Sequence, residues 1–222
     1  MKLTRAMVLA AGRGTRLRPL TDATPKPLLV VRGRPLIEWH LERLAAGGIR
    51  EVAINTSWLG AQLRAALGEG ARFGLKLHWF DEGPVPLEAA GGIVNALPFF
   101  RDEPFAVVNG DVHSQYALPP PPPPPGRLAH VVLVPNPAEH ARGDFGLECG
   151  ELRRTAPARF TYAGIASYQP RLFAGLKPGV RPWKPLIDAA LEAGFVSAEI
   201  YLGPWTDVGT VERLTAVNSG VR

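Results

Sequence analysis

Four charged residues, far apart in the sequence, have the chemistry needed to hold a phosphate and a metal ion. Arg16 and Lys26 are cations in one loop, while Asp111 and Asp207 each lie in a turn of small residues. An ammonium on a flexible stem suits a phosphate. Mg²⁺ binds through one or two carboxylates together with substrate phosphates. In combination, the two aspartates point to a clamp for a metal–triphosphate.

The loop that carries both cations is Leu9–Leu29, LAAGRGTRLRPLTDATPKPLL. Gly12 and Gly14 allow the backbone to approach a ligand closely and to adopt a positive φ, and the N–H groups of such a turn bind an anion. Leu17 stands where a dinucleotide-binding loop has its third glycine, and the Gly-Lys-Ser/Thr of a Walker loop is missing. The loop therefore predicts an anion site of a different kind. The alternative is that its glycines serve only a turn.

Each of the other charged residues also has a second interpretation. Lys26 stands between two prolines, which restrict the backbone that presents it, but a solvated loop lysine is the simpler explanation for one such residue. Asp111 follows a buried strand, where an open α/β sheet binds its ligand, but Asn-Gly-Asp is also ordinary turn chemistry. Asp207 fits either a metal ligand or the start of the last helix.

The composition describes a globular protein with a basic surface. The chain has 222 residues, of which 46% are hydrophobic and 20% are charged, and its net charge is +5. This charge serves either solubility or an anionic partner such as a nucleotide or sugar phosphate. The single cysteine, Cys149, excludes an intrachain disulfide, which agrees with a reducing compartment. The first apolar run is too short for a signal peptide or a membrane span, so we expect a cytoplasmic protein without membrane partners.

Alternating strands and helices position these residues. The predicted strands of the first half are residues 6–10, 51–55, 75–80 and 105–108, and its predicted helices are 34–46, 59–67 and 88–97. Their spacing of about 25 residues is near that of a βαβ unit, which predicts an α/β fold with a Rossmann-like, doubly wound, mostly parallel sheet. The predicted elements of the second half are strands 131–134 and 160–168 and helices 186–193 and 212–218. We expect them to continue the sheet with mixed strand directions.

Seven consecutive prolines, Pro119–Pro125, interrupt this pattern. They exclude both a helix and a central strand. At about 3.1 Å per residue they predict a polyproline II segment of roughly 20 Å. We interpret it as a stiff surface connection. The alternative is a docking segment for a polyproline-binding partner.

Taken together, these segments resemble the sugar-1-phosphate nucleotidyltransferases. The matching motifs are Leu9-Ala10-Ala11-Gly12-x-Gly14-Thr15-Arg16-Leu17-x-Pro19-Leu20-Thr21, Pro25-Lys26-Pro27-Leu28, Val108-Asn109-Gly110-Asp111 and Asp207-Val208-Gly209-Thr210. Their order and separations fit the family through almost the whole chain. Other segments are similar to its N-acetylmuramate α-1-phosphate uridylyltransferases. These are Pro86-Leu87-Glu88, Asn136-Pro137, Arg142-Gly143-Asp144-Phe145 and Phe160-Thr161-Tyr162-Ala163-Gly164-Ile165.

The resemblance implies one domain, residues 1–222, of the nucleotide-diphospho-sugar transferase type without a C-terminal β-helix. It divides this domain into a nucleotide-binding half at 1–118, the polyproline connection at 119–126 and a sugar-phosphate-binding half at 127–222. The implied reaction is Mg²⁺-dependent transfer of a nucleotidyl group from a nucleoside triphosphate to a sugar 1-phosphate, with release of pyrophosphate. The favoured substrates are UTP and N-acetylmuramate 1-phosphate, in peptidoglycan recycling.

The resemblance also implies which residues form the site. The implied catalytic residues are Arg16 on the β- and γ-phosphates, Lys26 on the α-phosphate and the sugar phosphate, and Asp111 and Asp207 as the metal ligands. The implied nucleotide-binding residues are Leu9, Ala10, Ala11, Gly12, Gly14, Thr15, Arg16, Pro86, Gly91, Asn109 and Gly110. The implied sugar-phosphate-binding residues are Glu88, Asn136, Asp144, Glu148, Gly164 and Lys184.

One short segment departs from the subgroup and leaves the substrates open. Ala89-Ala90-Gly91-Gly92 stands where the relatives have a threonine and three glycines. A mannose-1-phosphate guanylyltransferase, or an enzyme for another hexose or heptose 1-phosphate, is therefore the alternative. Outside enzymes, the alternative is an inactive relative that docks through its prolines. Nucleic-acid binding rests only on the basic charge, and without a basic-aromatic stripe we expect no nucleic-acid partner.

Overall fold

The computed structural model describes residues 2–148 and 151–220, so Cys149 lies outside the described residues. Its strands are β1 (Arg5–Leu9), β2 (Val30–Val31), β3 (Arg34–Pro35), β4 (Glu51–Thr56), β5 (Lys76–Asp81), β6 (Phe105–Asn109), β7 (Val112–Ser114), β8 (Ala129–Val134), β9 (Phe145–Glu148), β10 (Glu151–Arg153), β11 (Ala158–Tyr168), β12 (Val196–Ile200) and β13 (Trp205–Asp207). Its α-helices are α1 (Leu20–Ala23), α2 (Leu36–Ala46), α3 (Gly60–Leu67), α4 (Glu88–Phe100), α5 (Trp183–Glu192) and α6 (Val211–Ser219). Within these ranges no helix has the length and apolar character that crossing a membrane requires.

The first half of the chain forms four neighbouring parallel strands, in the order β5-β4-β1-β6. The chain runs outward from β1 to β4 and β5, and then crosses back to place β6 on the other side of β1. The side chains of residues 105–108 are buried, as expected of a strand covered on both faces. The loops after β1 and β6 therefore part at a switch point, which is where open α/β sheets bind their ligands.

The second half extends the same sheet with antiparallel pairs. Strand β11 is antiparallel to β6, β8 and β9, whereas β12 is parallel to β8. The predicted mixed directions are therefore confirmed. The register of β11 against β8 shifts between Tyr162 and Ala166, and Gly164 lies inside this bulge with a φ of 73°. The bulge brings Gly164 so close to Asn109 that a Cβ atom there would lie 2.9 Å from the Asn109 amide nitrogen.

Helices cover both faces of the sheet, which confirms the predicted doubly wound arrangement. Alternate residues of a strand point to opposite faces. Ala6 and Val8 of β1 belong to the buried cluster that packs against α2 and α3, whereas Met7 belongs to the cluster that includes α4 and α5. The loop that follows β1 is therefore anchored between two hydrophobic cores.

Two helix boundaries differ from the predicted ones. The helix predicted over 34–46 begins at Leu36, because the two preceding residues pair with β2 as strand β3. The helix predicted over 88–97 continues past an internal proline to Phe100. The fully buried Phe100 ring stacks on Phe105 with 3.8 Å between the ring centroids. Burial of this aromatic pair outweighs the local preference of proline to end a helix.

A short ribbon that the sequence did not predict connects the two halves of the chain. Strand β13 pairs antiparallel with β7, with Asp207 opposite Val112. Next to this pair, the Val208 N–H donates to the Asp111 carbonyl oxygen at 2.7 Å. The ribbon therefore brings the Asp207 turn beside the Asp111 turn.

The seven prolines form a packed connection that is neither helix nor strand, in agreement with the predicted exclusion of both. Pro120 and Pro123 are buried while their neighbours are more exposed, which matches the three-residue period of polyproline II. The Ser167 hydroxyl donates to the Pro121 carbonyl oxygen. One face of the segment is thus held against the sheet.

A buried histidine on α2 makes stability depend on pH. Burial lowers the pKa of His40 to about 4, with Arg43 adding to the effect. Because the unfolded chain binds this proton near the ordinary value of 6.5, the unfolded state gains protons first as the pH falls. The contribution of neutral His40 to the free energy of unfolding is therefore fully present above pH 6.5 and is lost progressively toward pH 4. Between neutral pH and about pH 5 we expect His40 to reduce the free energy of unfolding by about 2 kcal/mol.

Urea unfolding at both pH values, compared between the wild type and His40→Gln, measures this contribution. The variant is expected to show a shallower pH dependence of the free energy of unfolding. His113 and His130, whose pKa values burial also lowers, keep part of the slope in both proteins. An unchanged slope in the variant would assign the pH dependence to those two residues instead.

Candidate active site

A cavity of about 410 Å³ lies at the switch point, between the loops that follow β1 and β6. The predicted site residues that line it are Leu9, Ala10, Ala11, Gly12, Gly14, Lys26, Pro86, Glu88, Asn109, Gly110 and Asp111. All of them come from the part of the chain before the prolines. Glu88, predicted on the sugar side, lies in this first cavity.

The backbone of the first loop depends on Gly14. This residue has a φ of 66°, and its carbonyl oxygen accepts a hydrogen bond from the Thr21 hydroxyl at 2.9 Å. A Cβ atom at this position would lie 3.0 Å from the Thr21 methyl and 3.3 Å from the Lys26 Cβ. The glycine therefore allows both the left-handed turn and the close approach of the lysine.

Gly14→Ala is expected to lower turnover through Lys26 as well as stability. The left-handed conformation costs a non-glycine residue about 1 kcal/mol or more, and the new methyl group displaces the lysine stem. Gly33→Ala is the matched control, because Gly33 also has a positive φ of 82° but open space around its Cβ position. We expect thermal unfolding to show losses in both variants and steady-state kinetics to show a loss only in Gly14→Ala. Equal kinetics in the two variants would contradict the close approach.

Lys26 and Asp111 form an ion pair, with 2.6 Å between Nζ and Oδ2. Lys26 stands between Pro25 and Pro27 and begins a short 3-10 helix, Lys26–Leu28. Its side chain is only 11% exposed, whereas that of Asp111 is 33% exposed. The structure thus brings together a shielded ammonium and a partly open carboxylate, although they are 85 residues apart in sequence.

The two carboxylate oxygens of Asp207, the second predicted aspartate, differ in their hydrogen bonding. Asp207 Oδ2 accepts a charged hydrogen bond from Arg213 at 2.7 Å. Among the described residues, its buried Oδ1 atom has no hydrogen-bond partner. A Cβ atom on Gly209 would lie 2.4 Å from this oxygen and 3.0 Å from an Arg16 guanidinium nitrogen. Because Gly209 has no side chain, it leaves room for Asp207 and Arg16 to lie close together.

These carboxylates fit a magnesium ion. In the described part of the chain no group of three or more histidine, cysteine, aspartate or glutamate residues is arranged to hold a metal by itself. Mg²⁺ commonly uses only one or two carboxylates and completes its shell with substrate phosphates and water. The unpartnered Asp207 Oδ1 and the partly exposed Asp111 are such a donor set. The ion would then depend on the bound phosphates.

A second cavity of about 420 Å³ adjoins the first and shares Asn109 and Asp111 with it. The predicted site residues that line it are Arg16, Asn109, Asp111, Asp144, Gly164 and Asp207. Asp144 is fixed in place, because its Oδ2 accepts from the Tyr162 N–H at 2.8 Å and its Oδ1 lies 3.1 Å from His140 Nε2. Two ligand spaces therefore meet at Asp111.

Five predicted residues lie outside both linings. The side chain of Thr15 is exposed, and Gly91 packs against the backbone of Gly179, where a Cβ atom would meet the carbonyl oxygen at 2.3 Å. Asn136 accepts from the Thr161 hydroxyl at 2.9 Å.

Glu148 and Lys184 lie farther out in the second half. Glu148 is exposed at the end of β9, opposite Glu151, and Lys184 pairs with Asp188 on α5. Their sugar-binding roles remain predictions.

Asn55, Glu82 and Arg213 are among the polar residues of the site that were not predicted. Asn55 at the end of β4 accepts from the Ala10 N–H at 2.7 Å and donates to Glu82 at 2.7 Å. Glu82, just beyond β5, accepts from the Leu87 N–H at 2.7 Å. Asn55 and Glu82 lie at the carboxyl ends of parallel strands, where an open α/β sheet binds its ligand, so the reasoning that led to Asp111 could also have found them. Arg213 on α6 gives no such signal.

Known proteins resemble the chain in sequence and in fold. The Nucleotidyl transferase family model matches residues 5–120. An N-acetylmuramate alpha-1-phosphate uridylyltransferase from Neisseria meningitidis serogroup B is 43% identical over 219 residues, or 95% of each chain. A mannose-1-phosphate guanylyltransferase from Mycobacterium tuberculosis is also 43% identical, but over 49% of this chain and 30% of its own length. A Bacillus anthracis crystal structure, described as a glucose-1-phosphate thymidylyltransferase in complex with sucrose, has the same fold, with a TM-score of 0.85, 22% identity, and coverage of 98% of this chain and 95% of its own.

Proposed function

The chain belongs to the nucleotidyl transferase family and is a sugar-1-phosphate nucleotidyltransferase, and from this premise we propose that it transfers the uridylyl group of UTP to N-acetylmuramate 1-phosphate. The observation that carries the transfer reaction in this proposal is the Lys26–Asp111 pair at the junction of two cavities. A donor triphosphate and an acceptor phosphate must meet at one point, and this junction offers both a cation and a metal-binding carboxylate there.

The two cavities support the proposed division of the domain. Every residue that lines the first cavity precedes residue 119, whereas most of the second cavity comes from residues after 127. In this proposal the nucleotide lies over the glycine loop and the sugar lies beside Asp144 and Gly164. The polyproline connection joins the two halves without lining either cavity.

The proposed reaction is a direct displacement at phosphorus. An oxygen of the sugar phosphate attacks the α-phosphorus, its bond forms as the bond to the pyrophosphate oxygen breaks, and pyrophosphate leaves with that electron pair. Lys26 holds the α-phosphate and the acceptor phosphate together, and Arg16 takes the β- and γ-phosphates. Such catalysis rests on alignment and on neutralising charge. Mg²⁺, held by Asp111 and Asp207, would supply further positive charge to the phosphates.

The uridylyl assignment and the acceptor are supported by the relative from Neisseria, because its name includes both and the chain covers 95% of its length. We place the reaction in the cytoplasm, where nucleoside triphosphates are available, and in peptidoglycan recycling, which supplies N-acetylmuramate. The guanylyltransferase relative gives the competing substrate pair, GTP with mannose 1-phosphate.

Pyrophosphate release tests the assignment. The purified protein is given Mg²⁺, each of the common nucleoside triphosphates and a panel of sugar 1-phosphates. We expect the highest kcat/KM for UTP with N-acetylmuramate 1-phosphate. A preference for GTP with mannose 1-phosphate would overturn the uridylyl assignment and leave the class of reaction intact. Absence of turnover with every pair would favour an inactive relative.

A further inference from the structure

A third, smaller cavity of about 120 Å³ opens off the junction of the two larger ones. It shares Leu9, Ala89 and Asn109 with the first cavity, and Asn109 and Tyr162 with the second. It is therefore a side chamber of the site and not an isolated packing defect. Leu9 and Asn109 are predicted nucleotide-binding residues, whereas none of the predicted catalytic residues Arg16, Lys26, Asp111 and Asp207 lines it.

The walls of this chamber carry no formal charge. The aliphatic part is formed by Leu9 of β1, Val107 of β6, and Ala89 and Ile93 of the first half of α4. A carboxylate or phosphate placed among these side chains would lose its hydration without gaining a counter-ion, which is strongly unfavourable. The chamber therefore selects a small neutral group.

The opposite wall contains three polar groups that are linked to one another. Trp183 stacks on Tyr162 with 4.1 Å between the ring centroids, and its indole N–H donates to the Tyr168 hydroxyl oxygen at 2.6 Å. Tyr162 and Tyr168 lie on the same strand, β11, and both line the chamber. Burial raises the pKa of Tyr168 to about 12 and that of Tyr162 well above its usual value. Both hydroxyls therefore stay protonated.

This arrangement leaves one hydrogen-bond donor over. The Tyr168 hydroxyl oxygen accepts from Trp183, and among the described residues no hydrogen bond donated by the Tyr168 hydroxyl is found. A buried donor without an acceptor is costly, and a ligand that supplies an acceptor removes this cost. At the mouth of the chamber the Asn109 amide can bond to a polar ligand atom. The chamber thus suits a short apolar group that carries a carbonyl.

We infer that this chamber, formed by Ala89, Ile93, Val107, Tyr162, Tyr168 and Trp183, binds the acetamido group of the acceptor sugar. The inference rests on the proposed function, because it needs the acceptor at this junction. The methyl group lies against Ile93 and Val107, and the carbonyl oxygen accepts the free tyrosine proton. An engineered apolar cavity of about 150 Å³ holds benzene, so a chamber of 120 Å³ has room for an acetamido group. A charged lactyl group is excluded from it and must point elsewhere.

A substrate series tests the inference on the unmodified protein. The acceptors are glucose 1-phosphate and the 2-acylamido-2-deoxyglucose 1-phosphates with acetyl, propionyl, butyryl and benzoyl groups, each with UTP and Mg²⁺. The acetyl acceptor is expected to exceed glucose 1-phosphate in kcat/KM by at least about tenfold. The kcat/KM values of the butyryl and benzoyl acceptors are expected to be lower than that of the acetyl acceptor, because a chamber of about 120 Å³ has little room for the larger groups. Equal kcat/KM values across the series would overturn the inference.

A cavity-filling variant adds a second measurement. Ala89→Val is expected to reduce the ratio of kcat/KM for the acetyl acceptor over glucose 1-phosphate by about tenfold, and this ratio cancels any effect on UTP. Ala61→Val is the matched control, because Ala61 is the second residue of α3 as Ala89 is of α4, and it is exposed. An unchanged ratio in a folded Ala89→Val protein would contradict the chamber.

Failure of the proposed function has a different signature. If no acceptor is turned over, the proposed uridylyl transfer is wrong. Calorimetric Kd values for the same acyl series then test the chamber: tighter binding of the acetyl compound supports it, and equal Kd values contradict it. If all acceptors are turned over at the same rate, the transfer stands and the chamber is wrong. If Ala89→Val does not fold, the series on the unmodified protein gives the result.

Discussion

Asp111→Asn is expected to lower kcat by about two to three orders of magnitude, the size of effect seen when one charge-stabilising group is removed from a polar active site. The substitution keeps the shape of the side chain and removes its negative charge. The neutral amide would bind Mg²⁺ weakly, and Lys26 would lose the carboxylate that lies 2.6 Å from its Nζ. Both changes weaken the charge balance around the triphosphate. The measurement is pyrophosphate release as a function of Mg²⁺ concentration.

The Mg²⁺ dependence separates a metal ligand from a residue that only positions the lysine. If Asp111 binds the ion, the variant needs a higher Mg²⁺ concentration for half-maximal rate as well as having a lower kcat. Asp102→Asn is the matched control, because Asp102 is an exposed residue in the turn after α4. Its kinetics and thermal unfolding should equal those of the wild type. Wild-type turnover in Asp111→Asn would refute the metal role.

The sequence predicted the parallel core and its ligand edge because both depend on local patterns. The residues before Asp111 form an apolar run with the length of a strand, and small residues follow it, so both the strand and its exposed end can be recognised. The same holds for the loop around Gly14. The polyproline segment likewise excluded helix and strand through the geometry of proline alone.

Long-range pairing explains what the sequence could not predict. The strands β7 and β13 have three residues each, too few to show a period, and they exist only because the two halves of the chain meet. Arg213 lies on a helix surface like any solvated arginine until this ribbon brings Asp207 within 2.7 Å of it. The side chamber has the same origin, because its walls come from five separate elements.

The two cavities also show why the reaction could be predicted more closely than its substrates. The groups that handle phosphate are charged and stand in motifs, so their residue types alone identify them. The groups that we infer to distinguish one sugar from another are an uncharged chamber beside Ala89 and the tyrosine hydroxyls that line it. Such features are properties of packing. They become visible only when α4, β11 and α5 are placed together.

Lys26→Ala is expected to lower kcat by about two to three orders of magnitude as well, with little change in stability. Lys26 is the cation at the junction of the two ligand spaces, and its ammonium would neutralise both the α-phosphate and the acceptor phosphate as they approach. The Asp111 carboxylate is 33% exposed, so water replaces part of the lost ion pair, and we expect this loss to reduce the free energy of unfolding by about 1 kcal/mol. Steady-state kinetics and thermal unfolding of the same preparation measure the two effects.

Two further variants identify which property of the lysine matters. Lys26→Met keeps the length and packing of the stem and removes the charge, so it should be as inactive as Lys26→Ala if neutralisation is the role. Lys76→Ala, at an exposed position at the start of β5, should behave like the wild type. A Lys26→Met protein with nearly full turnover would show that the stem fills space beside Gly14. Charge neutralisation at the junction predicts instead that Lys26→Met and Lys26→Ala lose turnover together while both remain folded.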